Sequence, residues 1–167
     1  MSQLSRVDPP GTLAERDMTL AYLNYHRQTL AWKLDGLSGD QAITRSTVSG
    51  LTLLGLVRHL TEVERGWIME DFLGEDLPPL YSRPGARDAD FDELDAGRLD
   101  ADLAAWRDQI ARTDGVVGSH SLDETVQHER VGEISLRWIL WHLLEEYARH
   151  NGHADIIREA IDGEVGE

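Results

Sequence analysis

The sequence contains no cysteine, which excludes disulfides, thiolate metal sites and a cysteine nucleophile of its own. It also lacks any apolar run approaching the roughly 20 residues of a membrane span, and its N-terminal residues show no signal-peptide pattern. Basic charge is scarce, because the formal net charge is −15 and Lys33 is the only lysine. Nucleic acids and anionic membranes bind basic patches, so we expect neither as a partner. We expect a cytoplasmic protein.

The length and composition predict one globular domain. A chain of 167 residues with 41% hydrophobic residues can bury a core of its own. Residues 1–11 include Pro9, Pro10 and Gly11, and we predict that they form a flexible arm. The remaining residues show no internal repeat and no low-complexity tract. The predicted domain therefore spans residues 1–167, including the arm.

Four segments with helical periodicity predict four long helices. The first is expected from a cap at Thr12 to about Asp35, and the second from near Thr52 to about Phe72. The third has an apolar stripe, and the fourth runs from a cap at Ser135 to Gly163. The stripe of the third helix consists of Leu99, Leu103, Trp106 and Ile110.

The connections between these helices are long. Residues 36–50 are predicted to be a loop, and residues 74–98 an acidic crossover with a short helical turn near Phe91 to Leu94. Residues 115–132 are predicted to be irregular, with extended backbone at 124–131. Helices joined by long crossovers need not alternate in direction. The predicted fold is therefore all-α, a four-helix bundle with long crossover connections.

The apolar stripe of the last helix is interrupted by charged and polar side chains. Glu146, His150 and His153 fall where the three- and four-residue steps would place leucine or isoleucine. Burying unpaired charge is costly, so such groups must satisfy one another or bind something else. Carboxylate and imidazole are good ligands for first-row metals. Glu146 with His150, or His150 with His153, can share one ion.

A third ligand must come from another helix, and His59 lies at the edge of the second helix's apolar face. Three protein ligands with an open position are typical of catalytic metals. The alternatives stay open at this stage. His59 can be a structural histidine, Glu146 and His150 can form a hydrogen-bonded pair, and His153 can be exposed. His142 also lies near the same line.

Other polar and aromatic residues give weaker signals. Arg27 interrupts the inner stripe of the first helix and is predicted to hold an anionic cofactor or to pair with a buried carboxylate such as Glu146. A surface arginine is the alternative. His120 and His128 are expected to be solvated. The tryptophans are most simply core or interface residues, and they are Trp32, Trp67, Trp106, Trp138 and Trp141.

Two segments together resemble the DinB superfamily. They are LVRHLTEVERGW at 56–67 and WHLLEEYARHNGHAD at 141–155, and the similarity extends from about Thr12 to Gly163. More narrowly, the chain resembles an actinobacterial branch of unknown function related to mycothiol-dependent enzymes. The resemblance implies a four-helix bundle with a divalent metal at one end. It also implies that His59, Glu146 and His150 are ligands.

The resemblance further implies a low-molecular-weight thiol cofactor, mycothiol or a similar thiol. Zinc is the expected metal and nickel the second choice. The metal would lower the thiol pKa, and the thiolate would attack a small electrophile. His153 stands where many members have glutamine, so it is expected as a fourth ligand, a proton carrier or a residue behind the ligands.

Two functional hypotheses follow. The first is a metal- and thiol-dependent enzyme for transfer, isomerisation or detoxification of a small electrophile. The second is a non-catalytic metal-binding helical protein in stress response. We expect a homodimer, because five tryptophans are many for the core of a small monomer.

Overall fold

The computed structural model describes residues 6–166 and is mostly helical, as predicted. Residues 1–5 of the predicted arm lie outside the described part of the chain. The next residues contact the first long helix. The Arg6 guanidinium lies 4.7 Å from the ring centre of Tyr25 and 5.2 Å from that of Trp32. The Val7 backbone N–H donates a hydrogen bond to Gln28.

Four long helical segments dominate the structure, with shorter elements between them. Helix α3 continues directly into eight residues of π-helix, Arg65–Phe72. Helix α1 packs on α6, and α3 packs on both α5 and α6. The long helices are α1 (Glu15–Leu34), α3 (Leu53–Glu64), α5 (Leu99–Ser119) and α6 (Leu136–Asp162). The short elements are α2 (Gly39–Ala42), α4 (Ala89–Asp92), a 3₁₀ turn (Ala96–Arg98), β1 (Thr125–His128) and β2 (Gly132–Ser135).

Several predicted helix ends agree with the structure. The Thr52 hydroxyl accepts a hydrogen bond from the Gly55 N–H and caps α3, and Ser135 caps α6 through the Trp138 N–H. Gly163 ends α6 in the left-handed region, at φ 83°. Thr12 is not the cap of α1, because that helix begins after Ala14, which makes no side-chain capping bond.

Two predicted loops contain regular structure. The loop over residues 36–50 holds helix α2, which is closed by a capping box between Ser38 and Gln41. Helix α5 extends through Gly115 and Gly118 to Ser119, although both glycines are poor helix formers. Val117 is completely buried, so its packing outweighs that propensity.

The segment predicted to be extended forms the hairpin of β1 and β2. The two strands are antiparallel, and Val126 pairs with Ile134. Leu136, directly after β2, is fully buried, and Ile134 is buried as well. The hairpin therefore connects α5 to α6 with its inner side chains facing the core. Within residues 6–166, no helix is long and apolar enough to cross a membrane.

The end of α1 is sealed by side chains from the last turns of α6. Lys33 is 1% exposed, and its ammonium lies 2.9 Å from a carboxylate oxygen of Asp155. The same ammonium is 4.0 Å from the ring centre of Trp32. Arg158 donates to the backbone carbonyls of Lys33 and Asp35, which end α1. The first and last helices of the chain, α1 and α6, are thus joined by buried charge-assisted hydrogen bonds.

Candidate metal centre

Three side chains from two helices converge beside the core. His59 projects from α3, and Glu146 and His150 project from successive turns of α6. One donor atom from each lies within 4.8 Å of the other two. Glu146 Oε2 is 3.4 Å from His150 Nε2 and 4.0 Å from His59 Nε2. We call these three residues the ligand trio.

The helices position the trio through their buried neighbours. On α6, Leu143 and Tyr147 are fully buried, which turns Glu146 and His150 toward the rim of the core. On α3, Leu60 is fully buried next to His59 and sets the same orientation. The trio residues themselves are partly buried. Partial burial lowers the local dielectric constant and so strengthens their attraction for a cation. The remaining exposure leaves the trio accessible from solvent.

His59 is held by a carboxylate behind it. Its Nδ1 lies 3.0 Å from Oδ2 of Asp90, a buried residue of α4. A carboxylate accepts hydrogen bonds, so Nδ1 carries the proton and Nε2 keeps its lone pair toward Glu146. The Asp90 carboxylate also accepts from the Phe91 N–H, which fixes its orientation. This arrangement is common behind metal-binding histidines.

The close packing of α4 on α3 supports the contact between His59 and Asp90. The Phe91 ring lies 5.2 Å from the His59 ring, packed against the first turn of α3. A Cβ at Gly55 would lie 2.6 Å from Phe91 Cδ1 and 2.9 Å from the Thr52 hydroxyl oxygen. Glycine at this position therefore allows α4 to approach α3 and brings Asp90 within reach of His59.

His150 has a similar partner in His153. The two Nδ1 atoms are 3.3 Å apart, while His150 Nε2 faces Glu146. If His150 offers Nε2 to an ion, its Nδ1 carries the proton and donates to His153. Burial, followed by His150 and Arg149, lowers the pKa of His153, which favours the neutral acceptor. His153 lies outside the ligand trio, behind His150.

The donor set fits a divalent cation. A hydrogen bond from His150 lowers the pKa of Glu146 against the opposing effect of burial, and the nearby His142 and His59 contribute in the same direction. Glu146 is therefore a carboxylate at neutral pH. A tetrahedral zinc ion with bonds of about 2.0–2.2 Å separates its donors by roughly 3.3 Å. The two separations that involve Glu146, 3.4 and 4.0 Å, approach this value, and all three donor atoms lie within 4.8 Å of one another, so the side chains must draw closer together to bind one ion.

A cleft of about 290 Å³ opens beside His59. It lies between α3 and the crossover segment that carries α4, and Phe91 and Ser82 are among its walls. Glu62 organises the crossover by accepting from the backbone N–H groups of Tyr81 and Ser82. A small molecule can therefore approach His59 without opening the core.

Arg27 lies in a separate, buried network. Its guanidinium is 3% exposed and binds both carboxylate oxygens of the fully buried Glu64, at 2.9 and 2.7 Å. It also donates to Asn24 and Asp114, so four of its five N–H groups are engaged. Arg27 thus pairs with a buried carboxylate, which was one of the two predicted roles, but the partner is Glu64 on α3 rather than Glu146. A cofactor-binding role for Arg27 stays a prediction.

The Arg27 network extends across the core through Tyr147. The Tyr147 hydroxyl donates to Glu64 at 2.6 Å and accepts from the Trp106 indole N–H at 2.8 Å. Burial raises the pKa of Tyr147 well above its usual value, which keeps the phenol protonated. Glu64 raises the pKa of Arg27 despite the opposing effect of burial. Helices α1, α3, α5 and α6 are all joined by this network, which is structural in character.

Two further histidines lie near the site. One of them, His128, was predicted to be solvated. His128 is buried rather than solvated, because its ring stacks on Trp67 at 4.8 Å and its Nδ1 accepts from the Val131 N–H. His142 lies next to the trio, with Nε2 3.7 Å from Glu146 Oε1. Asp90 is the residue that sequence reasoning missed. Its only signal was the acidic character of the crossover.

Comparison with known proteins places the chain in a family. The chain belongs to the mycothiol S-transferase family, whose sequence profile matches residues 18–163. The family is DinB-like, which confirms the resemblance to the DinB superfamily. A solved crystal structure, that of a conserved protein from Enterococcus faecalis, matches with a TM-score of 0.65 and 11% identity. The match covers 92% of this chain and 100% of that chain, and at this identity it shows a shared fold alone. No curated protein matches the chain.

Proposed function

We propose that the protein is a metal-dependent enzyme that uses mycothiol or a similar low-molecular-weight thiol. Its reaction would be the transfer, isomerisation or detoxification of a small electrophile. The convergence of His59, Glu146 and His150 in a chain of the mycothiol S-transferase family carries this proposal. The chain supplies no cysteine, so the sulfur nucleophile must come from a small molecule.

The donor chemistry supports zinc as the metal, with nickel as the second choice. Two imidazoles and one carboxylate form the ligand set of several catalytic zinc sites, in which the fourth position is open. A bound divalent cation would lower the pKa of a coordinated thiol and so supply a thiolate near neutral pH. The chain's own residues prepare the metal site: Asp90 fixes the tautomer of His59, and Glu146 offers a carboxylate oxygen beside the Nε2 of His150.

We assign His153 the role of orienting His150 rather than that of a fourth ligand. Its Nδ1 contacts the Nδ1 of His150, on the ring side opposite the nitrogen that faces Glu146. This arrangement supports a three-ligand site with room for a thiol. A fourth protein ligand would instead close the site, as in structural zinc centres.

Metal content is the first test. Protein purified without a histidine tag should contain about one divalent ion per chain, and His59→Ala should remove most of it. His120→Ala is the matched control, because His120 pairs with Glu124 away from the trio. Equal metal content in the wild type and in His59→Ala would contradict the proposed site.

Thiol binding is the second test. Mycothiol added to cobalt-substituted protein should produce a sulfur-to-cobalt charge-transfer band and a change in the visible spectrum. A stoichiometric metal without any spectral response to the thiol would favour the non-catalytic metal-binding alternative. Turnover of an electrophile should then be absent as well.

We also propose that the four long helices form a DinB-type four-helix bundle as a single domain and that two copies associate. The exposed apolar side chains of Leu13 and Tyr22 near the start of α1 support an association surface. Sedimentation velocity should give the mass of a dimer, and Tyr22→Glu should shift the distribution toward the monomer. A monomer at every concentration would contradict this part.

A further inference from the structure

The carboxylate of Glu146 lies between the ligand trio and a further histidine. Its Oε2 is 3.4 Å from His150 Nε2 and 4.0 Å from His59 Nε2. Its Oε1 is 3.7 Å from Nε2 of His142, one turn earlier on α6. The oxygen nearest the trio and the oxygen nearest His142 are therefore different ones.

The ring of His142 is held by two tryptophans. Trp138, one turn earlier on α6, stacks on it with ring centres 5.4 Å apart and planes inclined by 14°. Trp67 of the π-helix meets it edge-on at 4.7 Å. Trp67 in turn stacks on the buried ring of His128, with ring centres 4.8 Å apart. Aromatic packing on two sides restricts rotation of the imidazole, so its Nε2 stays directed at Glu146.

The other nitrogen of this ring faces a weaker competitor. His142 Nδ1 lies 3.7 Å from Oε2 of Glu145, a side chain that is 56% exposed and bound to Arg149 at 2.6 Å. Water screens an exposed carboxylate, so its attraction for the imidazole is weak. Glu146 is 19% exposed, and its attraction for His142 is screened less. The imidazole is therefore held more strongly by Glu146 than by Glu145.

The second oxygen of Glu146 affects how many positions on a bound cation stay open. A carboxylate can bind a metal through one oxygen or through both. Binding through both would add a fourth donor atom to the trio, and zinc in proteins is usually four-coordinate. An oxygen held by His142 is less available to the cation, so one position is left for water or a thiol.

We propose that His142 is a positioning residue that holds Oε1 of Glu146, so that the carboxylate presents a single oxygen to the cation. This inference rests on the proposed metal site and adds a residue that keeps its fourth position open. His142 itself lies outside the donor group. Among residues 6–166, the donors that converge closely enough for one ion are those of His59, Glu146 and His150.

Cobalt-substituted protein without any thiol tests the proposal. Four-coordinate cobalt has strong d–d bands in the visible spectrum, and these bands weaken when a fifth donor binds. His142→Phe keeps a ring between the tryptophans but removes the nitrogen that faces Glu146. We expect a loss of d–d intensity, because Oε1 is then free to bind. The Kd of β-mercaptoethanol, read from its sulfur-to-cobalt band, should rise about tenfold because the open position is contested.

Glu145→Gln is the matched control, because it removes the carboxylate that faces the other nitrogen of the same ring. Its spectrum and thiol affinity should equal those of the wild type. His142→Gln should restore part of the wild-type intensity, because its amide N–H can donate to Oε1. Trp138→Leu leaves the imidazole in place but unstacks it, so a smaller loss of intensity is expected. Circular dichroism of all variants checks that the fold is retained.

The outcomes separate this inference from the proposed function. If the d–d bands weaken in His142→Phe but no electrophile is turned over, the proposed enzyme activity fails and the positioning role stands. If His142→Phe and Glu145→Gln both keep the wild-type spectrum, the positioning role is overturned and the thiol chemistry stays intact. Wild-type protein that binds no cobalt would overturn both.

Discussion

The buried pair of Arg27 and Glu64 allows a quantitative prediction about stability. Both side chains are almost fully buried and share two hydrogen bonds. Removing one partner of such a pair typically destabilises a protein by about 3–5 kcal/mol, since the other charge is left uncompensated. For a chain of this length that corresponds to a fall in Tm of roughly 6–20 °C.

The neighbouring groups predict which of the two substitutions lowers the stability more. After Glu64→Gln, Arg27 keeps Asp114 at 2.8 Å, so we expect the lower end of that range, about 3 kcal/mol. After Arg27→Met, Glu64 keeps only the Tyr147 hydroxyl, so we expect the upper end, about 5 kcal/mol. The double variant leaves no buried charge unpaired, since Asp114 is 39% exposed, and it should be about as stable as Glu64→Gln alone.

Urea denaturation of the four proteins measures these values. Arg112→Met is the matched control, because Arg112 forms an exposed ion pair with Glu75 and should lose little stability. Effects of the two single substitutions that add within about 0.5 kcal/mol in the double variant would refute the reasoning. So would a larger loss for Glu64→Gln than for Arg27→Met.

Three further outcomes are expected. Asp90→Asn should weaken metal binding about 10- to 100-fold with the fold retained, measured by competition with a chelator, and unchanged affinity would contradict its role behind His59. Burial and Arg6 lower the pKa of His26, so the unfolded chain binds its proton first and stability falls as pH decreases below about 6.5. His26→Gln should flatten that dependence in denaturation curves at pH 7.5 and 5.5, and an unchanged slope would count against it. Gly55→Ala should lose about 1–3 kcal/mol by overlap with Phe91 and weaken metal binding, and a neutral result in both assays would show that α4 moves freely.

The part of the site on α6 was predictable because it depends on one helix. Residues four apart lie on one face whatever the rest of the chain does, so Glu146 and His150 had to be neighbours. The meeting of α6 with His59 depends on packing between distant segments, which periodicity does not describe. His59 was only a candidate from its place at the edge of an apolar face, with a structural histidine as the alternative, and the resemblance to a family added weight to it. The binding of a metal by these residues stays a prediction.

Other features could not be predicted, for identifiable physical reasons. Asp90 lies in a crossover without helical or strand period, so no pattern connected it with His59. Arg27 had several candidate carboxylates, and its choice of Glu64 depends on the rotation of α3 against α1. The length of α5 was underestimated because burial of Val117 outweighs two unfavourable glycines.

The sealed position of Lys33 has a practical consequence. The chain has one ε-amino group, and it is enclosed by Trp32, Asp155 and the carbonyl of Val165. Acylating reagents need a free, unprotonated amine, so Lys33 reacts only while this enclosure is open. The rate of acylation at this single side chain therefore measures how often that corner of the molecule opens under native conditions.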